Sequence, residues 1–251
     1  MTEPNQFNID NKKLNNPAYS LGCILRGLRM LARPGFRRYL VVPISVNLIM
    51  YSIALWLSVS YISGLIERFI PGWLDWLSWL IWPVFLLSFL LVAFFTFTMA
   101  TNVLMAPFYG RLAERAEKIL SGEPLPKPGS GSLTTDIARG VASELKRLAY
   151  FALRAVPLLV LFVIPGLNLI APLLWMLFSA WALALEYTAY PLENRGVLFP
   201  EQRQMVKNMR IGFLSFGAVI MLGLTVPILN ILIPPAAVIG ATAYLSGRKA
   251  D

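Results

Sequence analysis

The chain alternates between long apolar stretches and shorter polar, mostly basic ones. Four stretches carry no charged side chain: Tyr39–Ile66, Trp76–Gly110, Ala155–Leu185 and Ile211–Gly247. Each is longer than the about 20 residues that a helix needs to cross the hydrocarbon core of a bilayer. Soluble domains carry about 25% charged residues, whereas this chain of 251 residues has 14% charged and 57% hydrophobic residues. The pattern predicts an all-α integral membrane protein.

The last two apolar stretches are interrupted by the same pattern, P-x-L-N-x-x-x-P. The residues expected at the two interruptions are Pro165, Gly166, Asn168, Pro227 and Asn230. Proline removes a backbone donor and clashes with the preceding turn, so neither stretch continues as one regular helix. Paired apolar segments broken by Pro or Gly indicate a binding site in many transporters. Each stretch is therefore either a re-entrant hairpin with its apex near mid-membrane or a kinked spanning helix.

The distribution of basic residues favours the re-entrant hairpins. Lys and Arg mark the cytoplasmic side of a membrane protein, and they flank both ends of the third and fourth apolar stretches. If both stretches re-enter, all 22 basic residues except Arg68 lie inside. If each crosses once, the Arg195–Arg210 segment lies outside. We therefore predict two long transmembrane helices followed by two re-entrant hairpins, with both termini in the cytoplasm.

These elements are expected to form one membrane domain over residues 1–251. Residues 1–38 would hold the polar tail and an amphipathic helix, and residues 39–120 a spanning hairpin with a cytoplasmic extension. Residues 133–251 would hold the two re-entrant hairpins. The intervening segment is rich in Pro, Gly and Ser, which predicts a loop.

The amphipathic helix is predicted to begin at Asn16-Pro17 and to end near Ala32. Asn is a good helix cap and Pro suits the first helical position, while Pro34 cannot continue the helix. The apolar residues expected on one face are Leu21, Ile24, Leu25, Leu28 and Leu31. With arginines towards the other side, this pattern is typical of an interfacial helix. We assign three of the basic residues to anionic lipid headgroups: Arg33, Arg37 and Arg38.

The residues of common catalytic and metal sites are missing. The sequence has no histidine and a single cysteine, Cys23, so neither a histidine proton shuttle nor a Ser-His-Asp arrangement is possible. It has no phosphate-binding loop of the Gly-x-x-x-x-Gly-Lys type. No catalytic residue, cofactor or metal is therefore predicted, and the net charge of +9 reflects membrane topology rather than a nucleic-acid partner. Glu186, at the end of an apolar helix, is either functional or a structural ion-pair partner, and we favour the ion pair.

The composition favours an anionic ligand. Arginine presents a planar fork of donors that matches oxyanions, and glycine lets a ligand approach the backbone closely. The tetrapeptide Arg26-Gly27-Leu28-Arg29 combines both features. The surrounding segment Leu21–Arg33 contains no Asp or Glu that would repel an anion. This tetrapeptide is one candidate anion site, and the half-helix starts after Pro165-Gly166 and after Pro227, with their free backbone N–H groups, are the other.

Four short motifs follow one another along the chain: Gly27-Leu28-Arg29, Ala106-Pro107-Phe108, Ile164-Pro165-Gly166-Leu167-Asn168 with Pro172, and Glu186-Tyr187 followed by Tyr190-Pro191-Leu192-Glu193-Asn194-Arg195-Gly196. In this order and spacing the chain resembles, over nearly its whole length, the inner-membrane sulfate permeases of bacterial cysteine biosynthesis, CysZ. The resemblance implies two long spanning helices plus helices that only partly penetrate the bilayer, in a multi-pass homo-oligomer among membrane lipids. It also implies sulfate uptake, with the ion held at Gly27, Leu28 and Arg29; Arg26 is added from its own chemistry. The alternative is a non-transporting membrane scaffold or assembly protein whose basic residues bind anionic lipid.

Overall fold

The described part of the chain consists of helices joined by turns and short irregular segments, which confirms the all-α class. The computed structural model describes residues 11–37, 108–120, 122 and 133–246, with single positions between 41 and 105. They belong to two compact units, Met1–Tyr39 with Tyr109–Asp251 and, separately, Leu40–Phe108. The predicted spanning helices Tyr39–Ile66 and Trp76–Gly110 lie mostly outside the described residues. The same holds for the polar tail before Asn11 and most of the predicted loop after Leu120.

The unit Leu40–Phe108 is described at scattered helical positions. Its exposed large apolar side chains are Val41, Leu48, Ile49, Ile53, Trp56, Val84 and Leu87. The hydroxyl of Ser52 donates to the carbonyl oxygen of Leu48, one helical turn earlier, at 2.8 Å. This local bond satisfies the hydroxyl within its own helix, as suits a helix with an apolar outer surface.

The larger unit contains seven α-helices among its described residues. They are α1 (Asn11–Leu14), α2 (Pro17–Leu31), α3 (Leu133–Val163), α4 (Ala171–Glu193), α5 (Phe199–Met205), α6 (Arg210–Thr225) and α7 (Pro227–Ser246). Residues 109–120 are also helical, and are called the 109–120 segment below. Two short 3₁₀ turns, Leu167–Leu169 and Val206–Asn208, precede α4 and α6.

Helix α2 begins and ends where its local sequence predicts. The side chain of Asn16 accepts a hydrogen bond from the backbone N–H of Ala18 at 2.9 Å, and Pro17 occupies the first helical position. Of the predicted apolar residues, Ile24 and Leu31 are buried and Leu28 packs on the core, whereas Leu21 and Leu25 are exposed, at 45% and 44%. The face that packs inward carries mainly small side chains or sulfur: Ser20, Cys23, Ile24, Gly27, Met30 and Leu31.

This small-residue face lets α2 lie close against α7. A Cβ atom added to Gly27 would collide with the carbonyl oxygen of Ala236, so only glycine fits at this crossing. Tyr19 donates its hydroxyl to the carbonyl oxygen of Ala243 at 3.3 Å. Since Tyr19 meets Ala243 and Gly27 meets Ala236, the two helices run antiparallel. Helix α2 is therefore a packed core element of this unit as well as an amphipathic helix.

Helices α3 and α4 form a helical hairpin around the first interruption. The turn contains Gly166 at φ 86°, a left-handed conformation that strongly favours glycine. Phe162 packs against Trp175 at 6.3 Å between ring centroids. Further from the turn, the indole N–H of Trp181 donates to the hydroxyl of Tyr150 at 3.0 Å. These two contacts fix the antiparallel order of the helices.

Helices α6 and α7 form a second hairpin around the second interruption. Val226 leaves the helical conformation and Pro227 starts α7. The rings of Phe216 and Tyr244 stack with centroids 5.4 Å apart. Phe213 of α6 also packs edge-on against Trp181 of α4 at 5.1 Å, so the second hairpin contacts the first.

The start of α6 is capped by a residue from the other end of the sequence. Its own preceding residue, Met209, supplies no side-chain cap. The amide oxygen of Asn15 instead accepts from the backbone N–H groups of Ile211 at 2.8 Å and Gly212 at 3.2 Å. Ser20 donates to the carbonyl oxygen of Gly212 at 2.7 Å. The segment before α2 thereby completes the first turn of α6.

Among the described residues, length and composition allow no single helix to cross a membrane. One bent pair, Phe199–Asn208 followed by Arg210–Thr225 at 111°, meets the same criteria jointly.

Candidate anion-binding site

A basic pocket of about 300 Å³ lies beside α2. Its lining residues are Gly22, Leu25, Arg26, Arg29, Met30, Arg33, Ile119 and Leu120. Arg26 and Arg29 are three positions apart on α2, and such residues are neighbours on one face of a helix. Arg33 follows in the turn after α2. Helix α2 and its C-terminal turn therefore contribute three arginines to one pocket.

The second wall of the pocket comes from the 109–120 segment, which α4 and the turn after it hold in place. The amide N–H₂ of Asn194 donates to the carbonyl oxygen of Gly110 at 2.7 Å. Arg195 forms an ion pair with Glu117, whose side chain is only 4% exposed. The rings of Tyr109 and Tyr190 meet edge to face at 5.5 Å. Through these contacts the wall is anchored to the core rather than left as a free surface helix.

The lining of the pocket suits a small oxyanion. It contains three arginines and no carboxylate, so an anion would meet donors without a competing negative charge. Arginine forks donate paired hydrogen bonds to tetrahedral oxyanions as they do to phosphate. The carboxylate of Glu117 is turned towards Arg195. Among the described residues, no group of three or more His, Cys, Asp and Glu side chains could hold a metal ion.

The four predicted anion-binding residues divide between two faces of α2. Arg26 and Arg29 line the pocket. Gly27 is buried against Ala236 of α7, and Leu28 packs on the hydrophobic core. Their backbone N–H groups lie inside α2, where such groups bond to carbonyl oxygens four residues earlier. Gly27 and Leu28 therefore make packing contacts, while Arg26 and Arg29 line the pocket; the sulfate-binding role of the four residues stays a prediction.

Arg33, which the sequence assigns to lipid headgroups, lines the pocket with Arg26 and Arg29. It lies in the turn after α2, which ends at Leu31, so helical spacing alone does not indicate this position. The lipid contact of Arg33 stays a prediction.

The residues predicted at the two interruptions lie at exposed turns. Pro165, Gly166 and Asn168 are exposed in the turn between α3 and α4. Asn230 is exposed in the first turn of α7, which Pro227 begins. Neither turn lines the basic pocket. The interruptions thus form helix reversals at a different place from the arginine cluster.

Glu186 is exposed on α4 and belongs to none of the ion pairs among the described residues. The carboxylate of Glu193, two turns further along α4, instead pairs with Arg147, which also contacts Glu144 at 2.8 Å. Arg195, which pairs with Glu117, is the second paired arginine near the C-terminus of α4. Burial lowers the pKa of Arg195, although arginine stays protonated in proteins. The ion pairs near the C-terminus of α4 therefore involve Glu193 and Arg195 rather than Glu186.

The described residues thus combine an all-helical fold, two helical hairpins and an arginine-lined pocket, a combination consistent with a helical membrane protein. The family described as "Sulfate transporter CysZ/Etoposide-induced protein 2.4" matches residues 23–235. The match covers most of the chain, and the chain belongs to this family. The resemblance inferred from its short motifs is confirmed.

Individual relatives are similar over most of their length. A protein named "Sulfate transporter CysZ" from Pectobacterium atrosepticum is 41% identical over 220 residues, 86% of this chain and 80% of the relative. A protein of the same name from Pseudomonas paraeruginosa is 36% identical over 235 residues, covering 92% and 94%. One from Salmonella enteritidis is 39% identical over 222 residues, covering 87% and 88%.

Proposed function

We propose that this chain takes up sulfate across the bacterial inner membrane and supplies it to cysteine biosynthesis. The observation that carries the proposal is the pocket in which Arg26, Arg29 and Arg33 converge without a carboxylate. The names of the relatives, sulfate transporters, support the same assignment. Passage is channel-like or driven by an ion gradient, since the sequence contains no ATP-binding loop.

The pocket would bind sulfate reversibly before its passage rather than hold it tightly. Sulfate is a dianion at neutral pH and gives up part of its hydration shell when it meets donors. Conduction requires binding that is favourable enough for entry and weak enough for release. Arg29 and Arg33 are exposed, whereas Arg26 is partly buried. The exposed pair would attract the ion and Arg26 would hold its inner side.

The two broken hairpins are proposed to enter the bilayer and return on the same side. Their apices, at Pro165-Gly166 and at Pro227, would then lie within the membrane. The start of α7 presents backbone N–H groups and the positive end of its dipole. Half-helix starts of this kind attract anions in transporters without any buried charge. Together with the two predicted spanning helices, these hairpins give a multi-pass protein, proposed to act as a homo-oligomer surrounded by lipid.

Flux of radiolabelled sulfate into liposomes that contain the purified protein tests the function. We expect uptake that saturates with sulfate and that falls when Arg29 is replaced by alanine. Protein-free liposomes and liposomes with the Arg29→Ala variant are the controls. Folded protein that gives no sulfate-dependent flux would contradict transport and support the membrane scaffold instead.

A further inference from the structure

A second basic site lies between α3 and α5, separate from the α2 pocket. It is a groove of about 580 Å³. Four cations line it: Lys146 and Arg154 from α3, and Arg203 and Lys207 from α5 and the turn after it. The α2 pocket shares no lining residue with this groove.

Tyr150 organises the cations of this groove. The guanidinium carbon of Arg154 lies 3.6 Å from the centre of the Tyr150 ring, and that of Arg203 lies 5.1 Å from the same centre. The ring is itself held, because its hydroxyl accepts from Trp181 at 3.0 Å and it packs edge-on against Phe199 at 5.3 Å. Two guanidinium groups from two helices are thus placed on one fixed aromatic platform.

The positive charge of the four groove cations is available to an anionic ligand. The ion pairs between described residues join Arg147 to Glu144 and Glu193, and Arg195 to Glu117. None of the four groove cations belongs to them. Glu201 lies nearby in a smaller pocket that also includes Lys146, but it does not line the groove. Four like charges gathered around one space repel each other, so an anion in the groove would relieve this repulsion.

The exposed apolar residues beside the groove favour a lipid over a free ion as its ligand. Leu153 lines it and is 73% exposed. Beyond Arg154, α3 carries no charge, and Val156 and Val160 are 59% and 52% exposed. These three residues are spaced by three and four positions, so they continue one face of the helix away from the groove. A cationic groove that opens onto an apolar ridge matches a phosphate headgroup joined to acyl chains.

We infer that the α3–α5 groove binds the phosphate headgroup of an anionic phospholipid, with its acyl chains along Leu153, Val156 and Val160. Arg154 and Arg203 donate to the phosphate from the Tyr150 platform, and Lys146 and Lys207 add positive charge at its edge. The inference rests on the membrane location in the proposed function, but not on sulfate transport. Free sulfate or phosphate shares the same headgroup chemistry and is separated from the lipid by the test.

The test is titration of the detergent-solubilised full chain with dioctanoyl phosphatidylglycerol, read by native mass spectrometry. The double variant Arg203→Gln with Lys207→Gln should bind this lipid about 30-fold more weakly, at about 1 kcal/mol for each cation. Both residues are exposed, so the fold should be retained. The matched control is Arg111→Gln with Lys118→Gln, which removes two exposed cations of the 109–120 segment that line neither site. It should leave the affinity within about threefold.

Three results would overturn the lipid assignment. The first is equal loss in both double variants, which would mean diffuse attraction. The second is equally tight binding of dioctanoyl phosphatidylcholine, a lipid without net charge. The third is inorganic sulfate or phosphate that occupies the groove without lipid and displaces the lipid at similar concentration, which would assign the groove to a free oxyanion. Sulfate flux measured on the same variants separates this inference from the proposed function, because the groove variants should keep their sulfate flux and Arg29→Ala should show a lower one.

Discussion

Arg195 and Glu117 form an ion pair between residues 78 positions apart in the chain. Glu117 is 4% exposed and Arg195 16% exposed at the side chain, so the pair is mostly removed from water. The pair ties the turn after α4 to the 109–120 segment, and so fixes the wall of the arginine pocket. Its contribution differs from that of an exposed pair, because removal of one partner leaves a buried charge uncompensated.

We therefore expect Glu117→Gln to destabilise the protein by about 3–5 kcal/mol. Glu144→Gln is the matched control, since it removes a carboxylate from Arg147 that is 51% exposed and should cost about 0–1 kcal/mol. Thermal unfolding in detergent, followed by circular dichroism, measures both. Similar unfolding temperatures for the two variants would show that the Glu117 pair is not important for stability.

Arg29→Ala and Arg33→Ala should each weaken sulfate binding by about 10- to 150-fold. A charge-assisted hydrogen bond contributes about 1.5–3 kcal/mol, and both residues line the pocket. Arg111→Ala is the control, because Arg111 is exposed on the 109–120 segment and outside the pocket. Calorimetric titration with sulfate compares the three. If Arg111→Ala lost as much affinity as the pocket variants, the attraction would be diffuse rather than a site.

Replacing Gly22 or Gly27 of α2 by alanine should change the stability of the protein in opposite directions. Gly27→Ala would place a methyl group against the carbonyl oxygen of Ala236 and should destabilise by about 1–3 kcal/mol. Gly22 has no atom within 4 Å of an added Cβ, so Gly22→Ala should stabilise the helix by about 0.5–1 kcal/mol. Unfolding temperatures in detergent test both. A Gly27→Ala protein that is fully stable but no longer binds sulfate would restore a ligand role for Gly27.

Cys23 should react slowly with maleimides in the native protein. Burial raises the pKa of its thiol to about 11, and the residue is 3% exposed. Since the thiolate is the reactive form, about one thiol in a thousand is reactive at pH 8. Intact mass after timed labelling, with and without denaturant, measures this, and the native rate should rise about tenfold per pH unit up to the pKa. Rapid native labelling at pH 7 would contradict the burial of α2.

The re-entrant topology predicts that exposed positions of the 109–120 segment and of α5 share the cytoplasmic side. We expect neither Lys118→Cys nor Glu201→Cys, each in a Cys23→Ser background, to react with an impermeant maleimide added outside spheroplasts. Both positions are exposed on the protein, so only the membrane protects them. Permeabilised cells provide the positive control. Outside labelling at Glu201→Cys alone would support single crossings instead, and labelling of both would indicate two orientations.

Local signals in the sequence were sufficient for the boundaries of α2 and for the interruptions of the last two apolar stretches. Asn16 and Pro17 fix the start of α2 through one capping bond, and Gly166 marks a left-handed turn. Such signals act within a few residues and can be identified without knowledge of the fold.

The partners of these elements could not be predicted in the same way. The leucine spacing predicted the amphipathic character of α2 but not its packing against α7, because the face that packs there was selected by the close approach at Gly27. The pocket between α2 and the Ile119–Leu120 wall was not predicted either, because the two segments are distant in sequence. Both features come from contacts between residues that no periodic pattern connects.

The cap that Asn15 provides for α6 has a consequence for biosynthesis. Asn15 leaves the ribosome 196 residues before Ile211, the residue whose N–H it accepts. The side chain of Asn15 therefore has no partner in α6 until Ile211 and Gly212 have been synthesised. During this interval it is open to chaperones and to the insertion machinery. The segment before α2 thus reaches its native contacts late, and replacing Asn15 should slow maturation in the cell.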